Sequence, residues 1–267
     1  MEGPMLARVI QYAPAWVRYV LTLSEIGRSG EGWVLAAGDD IAIMDAGGTP
    51  AMPLWPFSKL AEGARADDED WGPSNPGPQP LSIAALELAD KTLPALAENE
   101  ISVAVFPGPG ENRLIGASGV VRDLRAFIDE PRDVTAELEL EPRTIELEGW
   151  ANLNVPDLGE QDADDDARFW LLASQDGASV IAVVADDRPA LALFTARATA
   201  EDFALQAKVP AAPRAASVNS LIGHWLLMAF TSEWDAAIVT DDGETGAVKP
   251  IRLALDLAQT AQKSEAD

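Results

Sequence analysis

Apolar residues fall along this chain in short runs set off by glycine, proline and acidic turns. Residues 14–26 place Trp16, Tyr19, Val20 and Leu23 on one face, which predicts a helix that Gly27 to Gly32 ends. Trp33–Ala37 and Ile41–Asp45 then read as strands around the turn Gly38-Asp39-Asp40, with Pro50–Leu54 as a third strand at a sheet edge because of its two prolines. These spacings describe an antiparallel meander. A helix over 57–64 and an irregular, proline-rich loop over 65–80 follow. Leu81–Glu98 reads as one long helix capped near Ser82, with Ile83, Leu86, Ala89, Leu93 and Leu96 as its stripe and Pro94 bending or ending it. A strand over 101–106, a turn at Gly108–Asn112 and a helix over 118–128 close the half.

The same succession then returns. Gly32-Trp33-Val34-Leu35 is echoed by Phe169-Trp170-Leu171-Leu172, and Thr49-Pro50-Ala51 by Arg188-Pro189-Ala190. Ser82-Ile83 answers Ser217-Val218, and Ile101-Ser102-Val103 answers Ala236-Ala237-Ile238. The offset of 135 to 139 residues is the size of a domain. Strands near 169–173, 179–185, 190–194 and 236–240, with helices near 199–207, 217–232 and 251–262, make up the second half. Between the halves, Val134–Leu140 and Thr144–Glu148 alternate apolar and acidic residues, which suggests a hairpin, and 157–166 is an acid-rich run. The expected organisation is a first repeat over 1–128, an acidic linker over 129–166 and a degenerate second repeat over 167–267. The expected fold class is α+β, a tandem duplication of a small domain with a mostly antiparallel sheet packed against helices. Trp33 and Trp170, at one repeat position, are both expected to be largely buried.

Charge changes the picture more than length does. Forty-four acids face nineteen Lys and Arg, a formal net charge of −25. Phosphate backbones need cationic patches, so nucleic acid is not an expected partner. A field this negative attracts a basic protein; the competing reading is a solubility coat. Cysteine is absent, which removes disulfides and thiolate chemistry. The first 23 residues contain Arg8, Gln11 and Arg18 among their apolar residues, so they read as an amphipathic helix rather than a signal peptide or a span, and a cytoplasmic protein is expected.

Candidate chemistry is sparse. The single histidine, His224, has neither a marked nucleophile nor an orienting acid and reads as an ordinary helix residue. Asp162, Asp164 and Asp166 alternate as calcium ligands do, but lack the glycine and distal glutamate of such a loop, so no metal and no cofactor is expected. Gly108-Pro109-Gly110 has no following Lys-Ser/Thr pair and reads as a turn. Leu54-Trp55-Pro56-Phe57 sets two aromatics around a proline at a strand-to-helix corner, either as packing or as a recognition surface.

Gly32-Trp33-Val34-Leu35, the Pro53-Leu54-Trp55-Pro56 corner and the Val103-Ala104-Val105-Phe106-Pro107 strand end together resemble the bacterial domain-of-unknown-function family 2750, over residues 15 to 128. The second half resembles that family only through its likeness to the first. The resemblance implies no activity and carries over no catalytic residue. The reading is a non-enzymatic protein-interaction module, an acidic, immunity-like neutraliser of a basic partner. Trp55, Phe57, Asp67, Asp68 and Asp70 form its candidate binding surface. The alternative is a hydrolase or small-ligand-binding protein that works with carboxylates.

Overall fold

The computed structural model describes residues 13–38, 40–66, 77–107, 114–154, 167–174, 179–185 and 188–266. Two compact units divide the chain, Met1–Ala136 and Glu137–Asp267. Both combine helices with mixed, mostly antiparallel sheets, so the fold class is α+β.

In the first unit, α1 (Ala15–Ser29) precedes β1 (Glu31–Ala37), β2 (Asp40–Ile41), β3 (Met44–Asp45), β4 (Pro50–Leu54) and α2 (Ser58–Ala66). After these come β5 (Gln79–Ala84), the helix α3, β6 (Ser102–Val105), β7 (Leu114–Gly116) and α4 (Ala117–Asp129). Helix α3 is one run in three pieces, Ala85–Glu87, a π-helical turn Leu88–Thr92, and Leu93–Glu98. One sheet has the order β2-β1-β5 and another β3-β4-β6-β7. They meet where the backbones of Trp33 and Trp55 exchange N–H···O bonds at 2.8 Å in both directions.

The glycine run does not end α1 where the sequence suggested. The helix continues through Gly27, where a Cβ would lie 2.8 Å from the Phe127 carbonyl oxygen of α4. Only glycine permits that approach, and Gly30, at φ 80°, provides the left-handed cap. Gly27→Ala is expected to destabilise the unit by about 1–3 kcal/mol, since overpacking outweighs alanine's better helix propensity. Equilibrium denaturation checks this, and a stabilised variant would contradict it.

Three further expectations change. Gln79–Ala84 is a strand rather than the start of the long helix; it pairs with β1 from Glu31↔Ala84 to Ala36↔Gln79. Ser82 therefore caps nothing and donates instead to the Glu31 carboxylate at 2.7 Å. Pro94 does not end α3. The Leu93 N–H reaches back to the Leu88 carbonyl, and this wider turn precedes the proline that would crowd a regular helix. Strand β4 is not an edge, since β3 and β6 flank it. Its prolines fit because Pro50 lies before the parallel β6 pairing begins at Ala51↔Ser102, and Pro53 lies beyond the last β3 pair, Met44↔Ala51.

The expected hairpin arm over 134–140 is instead mostly a helix, α5 (Val134–Glu139). Val134 and Leu138 are both buried one helical turn apart, and the Asp133 carboxylate accepts from the Ala136 N–H at 3.1 Å, a cap that alternation in the sequence masked.

The second unit continues with β8 (Arg143–Thr144), β9 (Gly149–Asn154), β10 (Phe169–Ser174), β11 (Ser179–Ala185), β12 (Arg188–Phe194) and α6 (Arg197–Gln206). Strand β13 (Ala211–Ala216), the helix α7, β14 (Asp235–Val239), β15 (Thr245–Val248) and α8 (Pro250–Ala266) complete it. Helix α7 again has three pieces, Val218–Ser220, a π turn Leu221–Trp225, and Leu226–Thr231. Here the π turn occurs without a nearby proline, so a π turn at this place does not require one.

Pair by pair, the strand scheme of the second unit repeats that of the first. β10 pairs with β13 as β1 does with β5, β12 lies parallel to β14 as β4 does to β6, and β14 is antiparallel to β15 as β6 is to β7. Trp170↔Phe194 bridges β10 and β12 where Trp33↔Trp55 bridges β1 and β4. In β5 and β13, edge strands among the described residues, Pro80 and Pro213 occupy the outward-facing parity, so neither removes a ladder donor. The second unit adds two strands, β8 beside β15 and β9 beside β11.

Candidate site at the carboxyl end of the parallel strands

Strands β4 and β6 run parallel from Ala51↔Ser102 to Leu54↔Val105, so both chains leave the sheet at one end. That end brings together the Trp-Pro corner and the Val-Phe-Pro strand end, which stand about fifty residues apart in sequence. Carboxyl ends of parallel strands are where open sheets with helical crossovers place their functional loops. The Phe106 N–H donates to the Leu54 carbonyl at 2.7 Å, and Phe106 holds φ at 43°, a left-handed conformation that is unusual for a buried aromatic directly before a proline.

Trp55 is 2% exposed and Pro56 is buried, whereas Phe57 is half-buried at the entrance to α2. The Trp55 ring thus lies in the core of the corner, and Phe57 is the aromatic that reaches the surface. Asp67, Asp68 and Asp70 lie outside the described residues, as do 157–166 and 108–113.

The equivalent corner of the second unit carries different chemistry. Phe194 is fully buried and packs on Phe203 of α6 with ring centroids 5.4 Å apart. Beyond it, the Thr195 and Thr199 hydroxyls donate to Asp241 Oδ1 at 3.1 and 2.9 Å, which ties the start of α6 to the loop after β14. The Arg197 guanidinium lies 5.5 Å from the Trp170 ring centroid. Trp170 is 9% exposed, but Trp33 is only half-buried, contrary to expectation. Ser58 stands at the position of Arg197 in the first unit and is too short to cover an indole.

At the opposite end of β14 from this corner, where the strand starts, Asp235 accepts from Lys249 Nζ at 2.6 Å and from Arg143 of β8 at 3.1 Å. Burial on its own pushes this carboxyl up, but the hydrogen bonds and charges of Lys249 and then Arg143 outweigh it and hold its pKa below the ordinary value. A carboxyl lowered on folding stabilises the folded state above its unfolded pKa. That contribution is lost as pH falls through the folded value. Asp235→Asn is therefore expected to reduce stability at pH 7 and to make little difference at about pH 2. Thermal melts at the two pH values check this, and an equal loss at both would contradict it. Asp242 is also lowered, first by the Thr240 hydroxyl and then by the Glu244 N–H. Among described residues both resolved carboxyl shifts are downward, opposite to what a general acid needs.

His224 is half-buried in the π turn of α7, edge-on to Trp225 at 4.8 Å. Among the described residues no group of three or more His, Asp or Glu is arranged to hold a metal ion. None of the described helices is long and apolar enough to cross a membrane. The Thr195–Thr199–Asp241 and Asp235–Lys249–Arg143 groups were not legible from spacing, because each donor lies 42 or more residues from its carboxylate or, for Lys249, 14 away across a strand turn.

The fold and this aromatic corner define an α+β module whose parallel strand ends carry the distinctive residues. Residues 19–119 match the family described as Protein of unknown function (DUF2750), which places both corner motifs inside the matched segment. No curated protein matches the chain.

Proposed function

We propose that the chain is a tandem of two copies of one non-enzymatic interaction domain, an immunity-like neutraliser that engages a basic protein partner. The observation that carries this reading is the distribution of charge. Residues 1–136 hold twenty acids against ten Lys and Arg, and residues 137–267 hold twenty-four against nine. A net negative charge on each unit attracts a cationic partner. The repeated strand pairing supports the duplication. The changed corner chemistry, Trp55-Pro56-Phe57 against Phe194-Thr195-Ala196, supports copies that have diverged in what they contact.

The test is association with a captured partner across a salt series. The on-rate should fall steeply between about 0.05 and 0.3 M salt, because exposed charges are screened beyond roughly 10 Å at 0.1 M. Neutralising Asp67, Asp68 and Asp70 to Asn should lower the on-rate more than it raises the off-rate. Binding that ignores both salt and these substitutions would end the reading.

A further inference from the structure

We propose that the outer edge of β2–β3 in the first unit is a docking site for an extended segment of a partner protein. The segment would add as an antiparallel strand with an apolar centre flanked by lysine or arginine. This inference rests on the interaction-module reading and names where the partner sits.

The second unit shows the occupied form of the same edge. Its β11 is continuous, and β9 lies antiparallel along it from Ser179↔Asn154 to Val184↔Gly149. The Glu148 N–H donates to the Val184 carbonyl at 2.9 Å at the end of that ladder. Ser179 through Val183 are buried. In the first unit, the strand matching β11 is broken into β2 and β3 and nothing among the described residues pairs with its outer side.

Backbone parity shows which groups are open. The Ala42 N–H donates inward to Leu35 at 2.8 Å and the Ala46 N–H inward to Thr49 at 2.9 Å. Ile41, Ile43 and Asp45 therefore direct their main-chain groups outward, as Val180, Ala182 and Val184 do toward β9. Ile43 is 41% exposed, whereas Ala182 in the matching place is fully buried. An apolar centre and a free ladder are the two requirements for strand addition.

Charge sets the occupant. Asp40 and Asp45 are exposed at the two ends of this edge, where the second unit has buried Ser179 and half-buried Val184. Two flanking carboxylates favour a segment with a cation on each side. They repel a second copy of this acidic chain, which is how natural edges are kept from self-association.

The probe is a synthetic peptide with the β9 sequence Gly-Trp-Ala-Asn-Leu-Asn between terminal lysines, titrated into the full chain and followed by backbone amide NMR. Saturable binding is expected, with the Ile41 and Ile43 amides shifting and becoming protected from exchange. Ile43→Pro, which removes an outward donor, should weaken binding at least about tenfold. Since that variant acts on the protein's own fold, a second arm leaves the protein unchanged. Peptide N-methylated at the residues facing the edge should lose binding, and peptide methylated at the alternate residues should keep it. No saturation up to about 1 mM with the fold intact, shifts confined to the second unit, or insensitivity to methylation parity would each overturn the proposal. If a basic partner still binds in a salt-dependent way while the peptide does not, the docking edge fails and the module reading stands. A peptide that docks without any salt-sensitive partner would reverse that outcome.

Discussion

Trp55→Ala is expected to destabilise the first unit by about 3–5 kcal/mol, the range for removing a fully enclosed large aromatic. The side chain is 2% exposed, and its backbone carries both hydrogen bonds to Trp33 that join the two sheets of the unit. The residue before it, Leu54, accepts from the N–H of Phe106, which holds a left-handed backbone, so collapse around a cavity would have to move a strained strand end. A loss of this size is a large share of the about 5–15 kcal/mol that stabilises an ordinary domain. Calorimetry of the purified variant measures it. A change below about 1 kcal/mol would mean that the indole is not enclosed and would return Trp55 to the surface.

Phe194→Ala should cost the second unit a similar about 3–5 kcal/mol, because Phe194 is fully buried in a cluster with Trp170, Leu172, Ile181 and Ala200. The tilted contact with Phe203 adds a coupling of about 0.5–1.5 kcal/mol, which a double-mutant cycle with Phe203→Ala isolates. The first unit solves the same corner differently. There the strand position of Phe194 carries the larger Trp55 and the helix position of Phe203 carries Ala64. Additive losses in the Phe194 and Phe203 cycle would contradict direct packing of the two rings.

Periodic burial made most elements legible. The faces of α1, α4, β10, β11 and β12 are visible because apolar residues recur at the spacing each element needs. Strands β5 and β13 were hidden for a physical reason. Gln79-Pro80-Leu81 and Ala211-Ala212-Pro213 do not alternate, and an outward proline is tolerated at an edge but argues against a strand when read in sequence. The break between β2 and β3 was equally invisible, since Ile41-Ala42-Ile43-Met44 is as apolar as a paired strand and only its missing neighbour sets it apart.

The candidate corner was half legible. Trp55 and Phe57 stand out by composition, but a meander of antiparallel strands would not bring Phe106 to them. The parallel β4–β6 pairing does, through the crossover that contains α2, β5 and α3. Nothing in the spacing of Thr195, Thr199 and Asp241 marks them as neighbours, because that contact depends on the matching crossover in the second unit.

The most direct test of the account captures partners from the native lysate on immobilised wild-type chain and on Ile43→Pro, in parallel at about 0.05 and 0.3 M salt. The account predicts a basic protein that the wild type retains at low salt, releases at high salt, and that Ile43→Pro holds at least about tenfold more weakly. Proteins retained equally by both chains at both salt concentrations would contradict it.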